Sequence, residues 1–239
     1  MSTFQPRDPA YAQLERRVLR TGEDFLFGRG WTYLSVPSLV KRSTIERQAA
    51  VTWEHTFKIS DSLALAGSAE QGILELFEGS RLDASEQQYR YFANNSCFRN
   101  EDTLDGWKSL LEFRKIEQFV FATSDDAARY SFDECLANTT KVFGLLGVHV
   151  GQLRYVDTTN DPGYHIKKTD IEVMTQAYGW MEVCSCTYFG VEQAERFNIT
   201  GAPYTVSCTL VATPRALIPL LEHMRMPFPC GKQRHGKDY

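Results

Sequence analysis

The sequence predicts an α+β fold in which an antiparallel β-sheet is flanked by helices. Two kinds of observation predict it. Apolar segments double back on themselves at polar turns: Ser96–Glu101 returns as Leu110–Phe121 through the loop Asp102–Ser109, with Gly106 as its turn residue, and Thr169–Met174 returns as Trp180–Cys186 through Tyr178-Gly179. Away from these pairs, Tyr11–Phe27 and Asp125–Leu145 carry apolar residues at helical spacing with charges between them.

Length and composition narrow the class. At 239 residues with 43% hydrophobic and 13% aromatic side chains, the chain suffices for one substantial domain over residues 1–239, and the polar, basic stretch 227–239 reads as a loose tail. The net charge of −4 lacks the general electrostatic footprint of a nucleic-acid binder. Six cysteines at irregular spacing do not make a secreted disulfide scaffold, and Cys184-Ser-Cys186 is not a zinc-knuckle spacing. The opening residues are polar rather than signal-like, and no apolar run is long enough to cross a bilayer, so the expectation is a cytoplasmic protein with free thiols and no membrane partner.

Each element has a local reason. Asp8-Pro9 suits a helix start, because Asp caps and Pro fits the first turn; Leu14, Val18, Leu19, Phe25 and Leu26 form the apolar face, and Gly28-Arg29-Gly30 ends it. Trp31–Val36 reads as a strand stopped by Pro37. Leu63–Gly67 is a short strand running into Ser68-Ala69-Glu70, and Gln71–Phe77 is a helix that Ser68 would cap and an early Glu would favour. On a strand, i and i+2 share a face, so Arg99 and Glu101 would point one way, and Phe113, Lys115 and Glu117 would share one face of the partner. An arginine, two carboxylates and a ring on one sheet face suit a triphosphate, a purine and an ammonium group together. Asp161-Pro162-Gly163 is a turn. Ser207–Thr213 leads into a helix over Ala216–His223, and Arg215 sits at its start, where a cation is mildly unfavourable and therefore suggests an anion to be bound.

Cys97-Phe98-Arg99-Asn100-Glu101 followed by Phe113-Arg114-Lys115-Ile116-Glu117-Gln118-Phe119 resembles motif 2 of the class II aminoacyl-tRNA synthetases, most closely the seryl enzymes. Leu14-Glu15, Gly30-Trp31-Thr32 and Val36-Pro37 resemble motif 1, which implies a homodimer through that helix and strand. Ser68-Ala69-Glu70 stands where seryl enzymes carry Thr-x-Glu. Asp170-Ile171-Glu172-Val173, then Glu182 to Cys186, then Gln193 to Ile199 is the most extended similarity. Ser207 through Arg215 resembles motif 3.

The resemblance implies activation of an amino acid by ATP, giving an aminoacyl-adenylate and pyrophosphate. Arg99 would bridge the α-phosphate and the substrate carboxylate, and Arg215 would hold the γ-phosphate; these are the two catalytic residues it implies. Glu101 would accept from the adenine amino group and Phe113 would stack on the ring. Glu182 and Ser185 would bind Mg²⁺ with the nucleotide. Ser68, Glu70, Arg99, Glu117, Ser207 and Thr209 would hold the amino acid, with serine favoured.

The resemblance runs over about residues 8–226 and leaves no room for the N-terminal coiled-coil arm of seryl enzymes. The Asp102–Lys108 loop is short, the late motif 2 arginine is replaced around Ser109, and Ser207 replaces a motif 3 Asn. These departures put tRNA charging in doubt. An armless seryl-like domain also resembles the amino acid:[carrier protein] ligases, which load a phosphopantetheine thiol, and the string Leu111-Glu112-Phe113-Arg114-Lys115-Ile116-Glu117 is close to theirs. Those enzymes hold zinc with Cys, Glu and Cys; here Glu117 and Cys208 could supply two ligands and no cysteine stands near Ser68, so zinc is not expected. The alternatives are a minimal seryl-tRNA synthetase helped by a partner, and a non-catalytic paralogue serving as a binding subunit.

Overall fold

The computed structural model describes residues 9–48, 51–228 and 231–234. Helix α1, Pro9–Phe27, begins at the expected proline, while its expected cap Asp8 lies outside the described residues. Short elements follow: β1 (Thr32–Tyr33), β2 (Leu39–Lys41), α2 (Arg42–Gln48), β3 (Leu63–Leu65) and α3 (Ala69–Phe77). The main hairpin is β4 (Gln88–Phe98), a loop containing β5 (Thr103–Asp105), and β6 (Glu112–Ala122). Helix α4 spans Asp125–Leu145, as the periodicity predicts. After it come β7 (Leu153–Asp157), β8 (Lys167–Thr175), β9 (Gly179–Gly190), α5 (Glu192–Arg196), β10 (Tyr204–Thr213), α6 (Ile218–His223) and β11 (Lys232–Arg234).

Seven strands form the central sheet in the order β1-β4-β6-β10-β9-β8-β7, antiparallel throughout except that β1 runs parallel to β4. This is the α+β architecture expected from the sequence. One face packs on α1, α4 and α6 through a large apolar core that includes Val120, Phe132, Phe143, Cys208, Leu210 and Leu221. On the other face α3 and α5 cover only part of the sheet, over Ala93, Phe119 and Phe121. The rest of that face is open. Among the described residues no helix is long and apolar enough to cross a membrane.

Two expectations need correction. The strand foreseen over Trp31–Val36 is two residues long, because only Thr32 and Tyr33 find partners on β4 before the chain turns away after one further bond, Leu34 N–H to the Phe92 carbonyl. The strand foreseen over Ser96–Glu101 ends at Phe98. The Arg99 amide still bonds the Leu111 carbonyl, but the Asn100 amide goes to the His55 carbonyl, so the chain leaves the ladder and Arg99 and Glu101 stand on an irregular segment. In the tail expected to be loose, Lys232–Arg234 pair antiparallel with Thr103–Asp105.

The 198–201 turn closes on the 80–82 segment, with reciprocal backbone bonds between Ser80, Leu82 and Thr200. Gly201 has φ +88°, and a Cβ there would lie 1.9 Å from the Leu82 carbonyl oxygen. Backbone strain and backbone collision therefore add. Gly201→Ala is expected to destabilise the protein by about 3 kcal/mol, read as a lower urea midpoint; a shift within error of wild type would contradict the close approach.

Candidate active site

The open sheet face forms a cleft of about 380 Å³, within the roughly 300–1,000 Å³ usual for small-molecule sites. All eleven residues singled out in the sequence line it: Ser68, Glu70, Arg99, Glu101, Phe113, Glu117, Glu182, Ser185, Ser207, Thr209 and Arg215. Strand alternation accounts for most of the convergence. Phe113, Lys115 and Glu117 share one face of β6, and Ser207 and Thr209 share that face of β10, with Thr209 directly opposite Glu117.

Alternation alone would put Glu182 and Ser185 on opposite faces. A bulge resolves this: Ile171 pairs with Cys184 and Glu172 with Glu182, leaving Val183 as the extra residue. A second bulge, between Thr209 and Val211, allows Ala212 to reach the cleft as well. Cys208 falls on the opposite face, packed under α4 with its Sγ 3.6 Å from Cys184 Sγ. It therefore does not share a site with Glu117, which corrects the pair of zinc ligands considered above. Among the described residues no group of three or more His, Cys, Asp or Glu is arranged to hold a metal ion.

One end of the cleft carries buried charge. Glu117 accepts from Ser68 Oγ at 3.0 Å and Ser207 Oγ at 3.2 Å, and it pairs with Lys115. Burial works against the Lys115 charge, but Glu117 beside it prevails and holds the lysine above its ordinary value. Glu70 is held differently. Its Oε1 accepts from Gln48 Nε2 at 3.0 Å and Gln193 Nε2 at 2.6 Å, so two amides grip one oxygen. Burial, and after it the neighbouring Glu117, raise the Glu70 carboxyl above the usual carboxylate range. Ser68 also caps α3, its Oγ accepting from the Glu70 amide at 3.3 Å, so the helix cap and the site residue are the same side chain.

The other end carries arginines. The Arg99 guanidinium lies 5.3 Å from the Phe113 ring centroid, and its Nε donates to the Gly67 carbonyl at 3.3 Å. Arg215 donates from Nε to the Lys108 carbonyl at 2.8 Å and from Nη1 to the Glu182 carbonyl at 3.3 Å, with Glu182 Oε1 3.7 Å away. Desolvation lowers the Arg215 pKa against the pull of Glu182. A guanidinium in such surroundings remains charged and gains most from an anionic ligand.

Sequence reasoning misses several residues in or beside the site. Lys115 was seen to share the face of Glu117 but not as its ion-pair partner. Gln193 lay inside a recognised string without a role. Gln48 ends α2 with no local signal, and Tyr164, whose hydroxyl donates to the Gln48 carbonyl at 2.8 Å, follows the foreseen Asp161–Gly163 turn. Only their tertiary neighbours distinguish them.

An open antiparallel sheet with a cleft that is carboxylate-rich at one end and arginine-bearing at the other is the core architecture of a class II synthetase. The chain belongs to that family: it matches the tRNA synthetase class II core domain (G, H, P, S and T) over residues 55–224. It is 33% identical to the serine–tRNA ligase of Deinococcus radiodurans over 89% of this chain and 54% of that protein, and 31% identical to that of Methanocella arvoryzae over 88% and 53%. The chain thus spans about half the length of the curated relatives it matches. Among solved structures, seryl-tRNA synthetase from Pyrococcus horikoshii complexed with ATP superposes with a TM-score of 0.79 at 25% identity, over 89% of this chain and 51% of that one. The fold is also that of Giardia lamblia prolyl-tRNA synthetase in complex with prolyl-adenylate, at a TM-score of 0.76 and 13% identity, over 91% of this chain and 46% of that one.

A carboxyl raised above its ordinary value contributes its stability while protonated, and that contribution is lost as pH rises through the elevated pKa. Glu70→Gln removes this titration. The variant's stability relative to wild type is therefore expected to increase as pH rises above the ordinary carboxylate range, measured by urea unfolding at each pH; parallel profiles for the two proteins would contradict the burial cost assigned to Glu70.

Proposed function

We propose that the protein activates a small amino acid, serine first, with ATP, forming an aminoacyl-adenylate and releasing pyrophosphate. The observation that carries the reading is the polarity of the cleft: carboxylates Glu70 and Glu117 at the end suited to an ammonium, and Arg99 and Arg215 at the end suited to phosphates. In the step itself a carboxylate oxygen of the amino acid forms a bond to the α-phosphorus. The bond to the bridging oxygen breaks, and pyrophosphate leaves with the electron pair. No protein nucleophile is required. The protein aligns two anions and neutralises charge that grows on the phosphate, tasks for which a planar guanidinium is suited. Arg99 bridges the carboxylate and α-phosphate, Arg215 takes the terminal phosphates, Phe113 and Glu101 hold the adenine, and Ser68, Glu70, Glu117, Ser207 and Thr209 hold the amino acid.

The residues present fit a Mg²⁺ ion brought by the nucleotide. Glu182 and Ser185 offer hard oxygens to the cleft, and Asp170, opposite Ser185 in the ladder, has a buried Oδ1 without a hydrogen-bond partner. When bound, the ion would offset negative charge on the phosphates.

For the acceptor, transfer to a carrier-protein thiol or another small acceptor is supported by the loop after β4. Its residues 103–105 are folded back into a ladder with β11, and Asp105 bridges to Ser109. The second reading, transfer to tRNA, is supported by the names of the curated relatives, which are serine–tRNA ligases. A homodimer is supported by apolar surface on and after α1: Phe27, Tyr33 and Leu39 are 55%, 43% and 42% exposed, and Phe27 and Tyr33 both contact the Phe92 ring. Phe27→Asp is expected to shift the protein from dimer to monomer in sedimentation; a monomeric wild type would remove that part of the reading.

The central test is amino-acid-dependent ATP–pyrophosphate exchange across the twenty amino acids. Serine is expected to support exchange, and Arg99→Ala or Arg215→Ala to lower kcat/KM by about 10²–10³-fold. Absence of exchange with every amino acid, in folded protein, would overturn the activation reading. Labelled serine offered to tRNA and to a phosphopantetheinylated carrier protein then separates the acceptors.

A further inference from the structure

The carboxylate end of the cleft holds two acids and one base, and the base is already engaged. Lys115 stands two residues before Glu117 on the same face of β6, flanked in the sheet by Asn95 on β4 and Ala212 on β10. Its side chain is 11% exposed, that of Glu117 is 2% exposed, and the ammonium rests on Glu117 Oε2. The other Glu117 oxygen faces the Ser207 hydroxyl. Glu70, in contrast, accepts from the amides of Gln48 and Gln193; Lys115 is felt there only as the weakest of its influences, and among the described residues no ion pair is made with it. Arg99, whose Nε donates to the Gly67 carbonyl, adds positive charge near Lys115, and the nearby Cys97 thiol is pushed up to about 11 by burial. The two carboxylates therefore differ in kind: Glu117 is neutralised from within the chain, and Glu70 awaits a cation.

We propose that Lys115 is a specificity-determining residue, which by occupying Glu117 reserves that carboxylate for a neutral hydroxyl on the substrate side chain, leaves Glu70 to take the α-ammonium, and excludes amino acids whose side chain is itself cationic. This rests on the activation reading above and deepens it. A serine hydroxyl can donate to Glu117 without adding charge. A second ammonium in the same place, as in 2,3-diaminopropionate, the amino analogue of serine, would meet Lys115 at close range in a buried site with no carboxylate left to pair it. A lysine serving only to hold β6 in place would make no such distinction between the two substrates.

ATP–pyrophosphate exchange with serine and with 2,3-diaminopropionate tests this in wild type, Lys115→Met and Lys115→Arg, with ATP binding measured in each as the control for folding. Wild type is expected to prefer serine by ~100-fold or more. Lys115→Met frees Glu117 and is expected to cut that preference by at least about tenfold, while Lys115→Arg retains it. A Lys115→Met protein that binds ATP, exchanges with serine and keeps the full preference overturns the proposal. So does a wild type that uses both substrates equally well, a result that stands even if neither variant folds. Absence of serine exchange in wild type overturns the activation reading itself and this proposal with it, an outcome distinct from serine exchange without discrimination.

Discussion

The constraint on which the rest of the site depends is the burial of three ionisable groups on one sheet face. Glu70, Lys115 and Glu117 are all largely withdrawn from water. Buried charges are tolerated only when paired or fully hydrogen-bonded. The structure meets that demand with a lysine and two hydroxyls on Glu117 and with two amides on Glu70. These partners come from α2, α3, β6, α5 and β10, so the demand ties together segments remote in sequence. An arrangement that costs desolvation in the empty protein is suited to a ligand bringing the missing positive charge.

The open sheet face is the second determinant. On the covered face, α1, α4 and α6 bury a continuous apolar core, and four of the cysteines lie there with it: Cys135, Cys184, Cys186 and Cys208. The other face is covered only toward one end, by α3 and α5. Because a strand presents alternate residues to the two sides, the same sequence stretch supplies both core and cleft: Cys208 goes under α4 while Ser207 and Thr209 face the cleft. The two bulges adjust this alternation where the chemistry needs it. Without Val183 as an extra residue, Glu182 and Ser185 could not serve one side of the sheet.

Membership in the class II core-domain family accounts for the architecture but does not choose a substrate or acceptor. The same fold appears in a prolyl enzyme at 13% identity, so the fold alone carries no choice of amino acid. In the proposed activation that choice falls to the side chains around Glu70 and Glu117, and the loop after β4 is tied to β11 by backbone pairing.

The sequence by itself determined the elements and most of the site. Strong periodicity placed α1 and α4 within a residue or two of their observed ends, because an amphipathic helix has one way to bury its apolar side, and apolar runs on either side of polar turns placed β6 and β8. The resemblance to class II motifs named eleven residues, and all of them line one cleft. Tertiary structure decided what local pattern could not. Strand ends depend on partners: β1 stops at Tyr33, one backbone bond before the chain leaves β4 at Leu34, and β4 stops where Asn100 finds His55. The roles of Gln48 and Gln193 depend on contacts with Glu70 between segments 22 and 123 residues apart. A glutamine or lysine reads the same in sequence whether it faces water or a buried carboxylate. The energy that makes these residues matter arises only when folding removes water from Glu70 and Glu117.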